Sequence, residues 1–338
     1  MYTSDFVTSR WLSSPHLQTL GAAAPLFAPP RSHVETTTDD LRIPLDPERK
    51  HVLHARAWWA TTTERRPVVV VIHGIGGSTE SRYVLRASVA LHRRGYHVVR
   101  LNLRGAGTSI PDVPSLYHAG LTSDVGVVVR ELLADPRADG VSILGFSGGG
   151  SIALKLAGEW GTDVPSGVRS IVSISAPLDY TKVGPWMDSI GRLPYRFHVL
   201  RGLSEGARAF ARHHPMLAHY RPADVKRMSS FRYYDGTIIA PMHGFANVDA
   251  YYEAARSGPW LPRIEVPTLL LHAEDDPMVP SFSVKPWLAD ASRAVRVAMS
   301  TQGGHIGWVS GLDEASWITS WATSRALTFL DATTTRAS

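Results

Sequence analysis

The spacing of apolar and polar positions changes character several times along the chain. Between Ser32 and Trp59 it alternates over short distances, as in Val52-Leu53-His54-Ala55-Arg56-Ala57-Trp58, which predicts antiparallel edge strands. From Pro67 the pattern becomes continuous. Val68 to Ile72 is an unbroken β-branched run, suited to a central parallel strand covered on both faces. Helical spacing over Arg82 to His92, stopped by Gly95, leads into a strand at His97 to Asn102. Leu121 to Leu133 predicts a helix, Val141 to Leu144 a strand, Ser151 to Trp160 a helix and Arg169 to Ser175 a strand. Repeated alternation of this kind marks a doubly wound, mostly parallel sheet flanked by helices.

The alternation stops at about Pro177. Residues 178–262 carry aromatics and arginines on helical or irregular spacing only. Strands return at Thr268 to His272 and Ala294 to Met299, before a final helix over Leu312 to Leu330. The expected organisation is an N-terminal arm at 1–31, an α/β core formed by 32–177 and 263–332, and an inserted, mainly helical cap or lid at 178–262. The arm, rich in Ala and Pro, reads as irregular, and the small polar stretch from Ala332 to Ser338 as a fraying end.

Composition narrows the partners. The 338 residues are 44% hydrophobic and 19% charged, enough to build a sizeable core. The formal charge of +5 raises nucleic acid as a partner, but Arg65, Arg66, Arg93, Arg94 and Arg137 fall in small separated groups, so no nucleic-acid role is expected. With no cysteine, disulfides, thiolate metal sites and cysteine catalysis are excluded. The start, with Asp5 and Arg10, lacks a signal-peptide layout, and Leu17 to Ala28 is broken by Gly21 and Pro25. No apolar run approaches the roughly 20 residues of a membrane span. The expected location is the cytoplasm; a homodimer is left open.

The chemistry lies in the loops that follow the strands. Val141 to Gly149 is a strand running through Gly145-Phe146-Ser147-Gly148-Gly149 into a helix, the G-x-S-x-G nucleophile elbow. A strand-to-helix turn this tight strains Ser147 and leaves no room for side chains at Gly145 and Gly149, while the helix N-terminus favours negative charge. A serine nucleophile needs a base, and the base an orienting carboxylate. Strand 268–272 runs into Glu274, Asp275 and Asp276, and strand 294–299 into Gly303-Gly304-His305. Both loops leave strand C-terminal ends, the edge where α/β sheets place their sites. His305 is assigned as general base and Asp276 as its orienter, with Asp275 the rival and Glu274 a weaker one. Pro277 favours Asp276 by holding the preceding residue extended.

His73-Gly74-Ile75-Gly76-Gly77 follows the first central strand in the H-G-x-x-G form of an oxyanion loop. The amides of Ile75 and Gly148 are expected to form the hole, with His73 a structural support. Arg104-Gly105-Ala106-Gly107 lacks a full dinucleotide pattern and reads as a loop at the site rim. His213 and His214 lack metal spacing, so neither a metal nor a cofactor is expected. Phe146, Trp186, Met242 and Trp308 are assigned to substrate binding. Trp186, Met187, Phe197, Phe210, Met216 and Tyr220 either line an acyl pocket or form the inserted segment's own core.

With these residues in hand, the chain resembles the YheT-like branch of the α/β-hydrolases, which includes abhydrolase-domain lipases and phospholipases and plant embryogenesis-associated relatives. Ser14-Pro15-His16-Leu17-Gln18-Thr19 is similar to that group's N-P-H-L-Q-T, and Tyr117-His118-Ala119-Gly120 with Asp124 to its Y-H-x-G and later Asp. Pro241-Met242-His243-Gly244-Phe245 and Tyr251-Tyr252 resemble its P-x-H-G-F and Y-Y. The chain departs at Gly148 and Ser151, where the group carries Leu and Asn. The resemblance implies an α/β-hydrolase fold and hydrolysis of carboxylic esters, short- to medium-chain acyl esters or lipids, through Ser147, His305 and Asp276. Acyl transfer or thioester cleavage by the same residues, or a non-catalytic ligand-binding role, are the alternatives.

Overall fold

The computed structural model of the chain describes residues 2, 3, 6, 8, 12–23, 38–312 and 318–334. The expectations placed on Asp5, Arg10, residues 24–37 and the tail beyond Thr334 lie outside them.

Nine strands form one sheet: β1 (Tyr2–Thr3), β2 (Asp39–Pro44), β3 (Val52–Trp58), β4 (Arg66–Ile72), β5 (His97–Leu101), β6 (Ala138–Phe146), β7 (Val168–Ile174), β8 (Thr268–Ala273) and β9 (Val295–Ser300). Their order is β1-β9-β8-β7-β6-β4-β5-β3-β2. Antiparallel pairing is confined to the β2–β3–β5 edge, where β3 alone runs against the rest of the sheet, as the edge pattern predicts. The β-branched run in β4 explains the layers. Val68, Val70 and Ile72 face one core with Val125, Val128 and Ile152 of α3 (Ser123–Leu133) and α4 (Gly148–Trp160). Val69 and Val71 face the other, with Val84, Ala87 and Ala326. Those three lie on α2 (Arg82–Arg93) and on the last helix (Trp321–Thr334). A strand covered on both faces must be apolar at every position, which is why β4 shows no alternation.

β4 is flanked by β5 on one side and β6 on the other, so the strand order reverses between β4 and β6. That reversal opens a crevice beyond the strands' C-terminal ends. The loop at His73 and the turn at Ser147 both emerge there.

Two expectations change. The arm is not wholly irregular: α1 (Pro15–Ala23) is a helix that starts on a proline, whose fixed φ suits the first helical position. β1 also adds to the sheet beside Ala298 and Met299. The final helix does not begin at Leu312. β10 (Val309–Leu312) and β11 (Ile318–Ser320) pair as an antiparallel ribbon first, because Val309, Ile318 and Thr319 favour extended backbone. The chain between β7 and β8 contains α5 (Tyr180–Met187), α6 (Leu193–His213), α7 (Val248–Ala255) and shorter turns, one of them a π-turn at Asp235–Ile239.

Candidate active site

β6 ends at Phe146 and α4 begins at Gly148, so Ser147 alone turns the chain. Its φ of 51° and ψ of −121° lie where side-chain-bearing residues are strained. The glycines around it are steric requirements. A Cβ on Gly145 would stand 2.4 Å from the Gly149 carbonyl oxygen, and one on Gly149 would stand 2.5 Å from that of His73. The Ser147 amide donates to the Ile174 carbonyl at 2.8 Å, tying the turn to β7.

Three side chains from three loops meet at this turn. His305 Nε2 lies 3.0 Å from Ser147 Oγ, and its Nδ1 lies 2.8 Å from Asp276 Oδ2. The other Asp276 oxygen accepts the amides of Met278 and Val279, both at 2.8 Å. Burial alone pushes the Asp276 carboxyl up, but the charge and hydrogen bond of His305 outweigh it and hold the carboxyl below its usual range. Asp275 points elsewhere: its Oδ1 accepts the Gly304 amide at 2.9 Å, so it shapes the histidine loop without touching the imidazole. Burial raises its carboxyl, partly offset by the amides of Gly304 and Gly303.

The loop after β4 is held from several sides. Leu103 donates its amide to His73 Nε2 at 3.2 Å, which leaves the proton on Nδ1, bonded to the Gly74 carbonyl at 2.8 Å. Burial lowers His73 to about 4, so the ring is neutral and braces the loop. Tyr83 and Tyr117 accept the amides of Gly74 and Gly76, each at 2.8 Å. Between these fixed points the Ile75 amide has no acceptor among the described residues. The Gly148 amide opens α4 and has no intrahelical partner. A Cβ on Gly148 would lie 3.3 Å from Ile75 N, so the two backbones adjoin beside Ser147.

Ser147, Ile75 and His305 line a cavity of about 980 Å³, within the range of a small-molecule site. The residues assigned to substrate binding fall elsewhere. Phe146 and Trp308 are buried in the core behind the sheet, Trp308 with its indole nitrogen bonded to Ser300 Oγ at 2.7 Å. Trp186 bonds the Pro277 carbonyl at 3.0 Å and packs on Phe282. Met242 Sδ accepts the Leu116 amide at 3.2 Å. None of the four is in the cavity wall, because each has its polar or bulky end committed to a neighbouring element. Of the aromatic and sulfur residues left open, Met187 lines the cavity. Phe210 and Tyr220 are buried in a cluster of their own, and Phe197 and Met216 are exposed. Gly105 and Gly107 reach the cavity, as the rim reading of that loop expects.

Sequence reasoning gives the arm around His16 and Gln18 a structural role without placing it, and the structure sets α1 against the histidine loop. Thr19 Oγ1 accepts the His305 amide at 2.9 Å, and Gln18 Oε1 accepts the Val309 amide at 2.6 Å. A Cβ on Gly304 would meet the Pro15 carbonyl oxygen at 2.5 Å, so helix and histidine loop are in direct contact. The P-H-L-Q-T motif is the signal that carried this information. Tyr117, His118 and Asp124 also acquire physical roles: Tyr117 braces the loop after β4, His118 stacks edge-on with His243 at 4.5 Å, and Asp124 pairs with Arg104. Among the described residues no group of three or more His, Asp or Glu is placed to hold a metal, and no helix is long and apolar enough to cross a membrane.

Residues 67–311 match the family model described as the alpha/beta hydrolase fold. The putative esterase YheT of Escherichia coli (strain K12) is 29% identical over 98% of this chain and 95% of its own length. A monoacylglycerol lipase of Saccharomyces cerevisiae is 26% identical over 75% of this chain, which spans only 57% of that lipase. In structure the chain is similar to an esterase of Pyrococcus furiosus, with a TM-score of 0.57 and 16% identity over 92% of this chain and 99% of the other, a likeness of fold.

Proposed function

This chain belongs to the alpha/beta hydrolase fold family, in its YheT-like branch, and from that premise we propose that it hydrolyses carboxylic esters through a covalent acyl-enzyme on Ser147. The observation that carries the reading is the hydrogen-bonded run Asp276–His305–Ser147 opening on the cavity.

In this reading His305 Nε2 takes the Ser147 proton as Oγ attacks the ester carbonyl. The carbonyl oxygen gains the negative charge, which the Ile75 and Gly148 amides stabilise with the N-terminus of α4 behind them. His305 then hands its proton to the departing alkoxide, releasing the alcohol and leaving the acyl group on Ser147. A water attacks that ester next. His305 takes the water's proton and returns it to Ser147 Oγ as the acid departs. Asp276 keeps the Nδ1 proton on the ring and offsets the imidazolium charge at each transfer. The inserted helical segment, proposed to span about 178–262 as a cap over a core of 32–177 and 263–332, supplies Met187, Tyr195, Val199 and Leu203 to an apolar side of the cavity. Cofactor-free acyl esters or lipids are the substrates proposed.

The test is hydrolysis of p-nitrophenyl esters of increasing acyl length by the wild type and Ser147→Ala, with fluorophosphonate labelling of both. Hydrolysis and labelling that disappear together in Ser147→Ala support the mechanism. Undiminished turnover in that variant overturns it.

A further inference from the structure

The cavity that holds Ser147 continues to a wall that ester chemistry leaves unused. Asp235 lines it and opens the π-turn Asp235–Ile239. Turns of this type interrupt a helix and recur at functional sites. The Asp235 carboxyl is buried, with one oxygen accepting the Tyr252 hydroxyl at 2.8 Å. It forms no ion pair among the described residues. Tyr180, Tyr234, Tyr251 and Tyr252 line the same cavity. The wall is thus rich in aromatic rings around Asp235, and the cavity's other charged residues, Glu80, Glu205, Arg82 and Arg212, form no ion pair with it.

We propose that Asp235 and these tyrosines form a subsite for a positively charged nitrogen carried by the ester substrate. The inference rests on the ester-hydrolase reading and deepens it by naming a substrate class, ammonium-bearing esters. A buried carboxylate without a partner is costly, and a neutral hydroxyl ligand would complete its hydrogen bonds while leaving its charge uncompensated. A cation offsets the charge and also takes up the attraction of tyrosine ring faces. The titratable groups acting on Asp235 or feeling its charge are Tyr252, Tyr117, Tyr180, Tyr234, Tyr251 and, farther off, Asp188; none is cationic. Burial, reinforced by Asp188, pushes the Asp235 carboxyl up to about 7 against the Tyr252 hydrogen bond, the direction expected of a site that lacks its positive partner.

Two uncharged-versus-charged pairs test this. Butyrylcholine and 3,3-dimethylbutyl butyrate have the same shape and differ by the nitrogen's charge. The expected kcat/KM ratio at pH 8 is about tenfold or more in favour of the choline ester, the factor that corresponds to roughly 1.4 kcal/mol. Calorimetric binding of choline against 3,3-dimethylbutan-1-ol is expected to show the same preference without any turnover. Asp235→Asn is expected to bring both ratios to near one. Should that variant not fold, Tyr252→Phe serves. Loss of its hydroxyl raises the Asp235 carboxyl further, so the preference drops at pH 7 and returns at pH 9. Equal binding of choline and its neutral isostere by the wild type overturns the inference. Choline binding without cleavage of any ester leaves the subsite standing and overturns the esterase reading instead.

Discussion

Gly148 stands next to Ser147, the proposed nucleophile, and replacing it with alanine tests the proposed oxyanion hole. Gly148 lies outside the left-handed region, so its backbone accepts alanine, and a helix start gains about 0.5–1 kcal/mol from the exchange. The added Cβ, however, would stand 2.6 Å from Ile75 Cγ1 and 3.2 Å from its Cδ1. Carbon atoms rest at about 3.5–4.0 Å, so Ile75 must retreat by roughly 1 Å. Rotating the side chain off its well costs about 0.5–1.5 kcal/mol. Moving the backbone is the alternative, and the Ile75 amide adjoins the new methyl at 3.3 Å. A displacement of that size near reacting atoms costs on the order of a hundredfold in rate. The expected result is a melting temperature at or somewhat below wild type with kcat on p-nitrophenyl butyrate lowered between about tenfold and a hundredfold. Ile75→Ala in the same chain makes room for the methyl and is expected to restore most of the loss, a coupling readable from the double-mutant cycle. Turnover within twofold of wild type in the single variant would refute the argument that Ile75 and Gly148 share this space to stabilise the oxyanion.

Other expectations follow from the same contacts. Asp276→Asn is expected to lower kcat by about 10⁴, as loss of the orienting carboxylate does elsewhere. Asp275→Asn acts through the Gly304 amide and is expected to shift the denaturation midpoint more than kcat; equal kinetic losses in the two variants would contradict their separate roles. Thr19→Val removes the acceptor of the His305 amide, so a loss of about 1–3 kcal/mol in urea denaturation is expected together with slower turnover. His73 is neutral in the folded protein down to about 4 but protonates near 6.5 when unfolded. The unfolded state therefore binds more protons between those values, and stability falls on acidification through that window by about 3 kcal/mol in all. Thermal melts from pH 7 to 4 are expected to show this slope, flattened in His73→Gln.

Much of this arrangement is written in residue spacing. The β4 run from Val68 to Ile72 can only be a strand buried on both faces, and Gly145 and Gly149 are demanded by sub-3 Å approaches of backbone. Ser147 and His305 stand at strand ends where local sequence marks the turn. The choice between Asp275 and Asp276 is less legible, because adjacent residues in one loop differ only in which way each carboxyl points. The substrate wall is least legible. Trp308 has the composition of a pocket residue, yet a φ of 43° and the bond to Ser300 turn its ring into the core. Asp235 carries no sequence signal at all, since its burial arises from packing between helices distant along the chain.

The contacts of α1 have a consequence for how the protein reaches working form. The serine turn is complete once β6, β7 and α4 have assembled, but the imidazole that serves it is fixed by residues 15–19 gripping residues 304–309. Nearly the full length of the chain must come together before the proposed proton acceptor is in place. Trimming the first twenty residues, a change often made to improve expression, would be expected to leave a folded body with a slack histidine. A circular permutant that joins the ends and opens elsewhere would keep the grip intact.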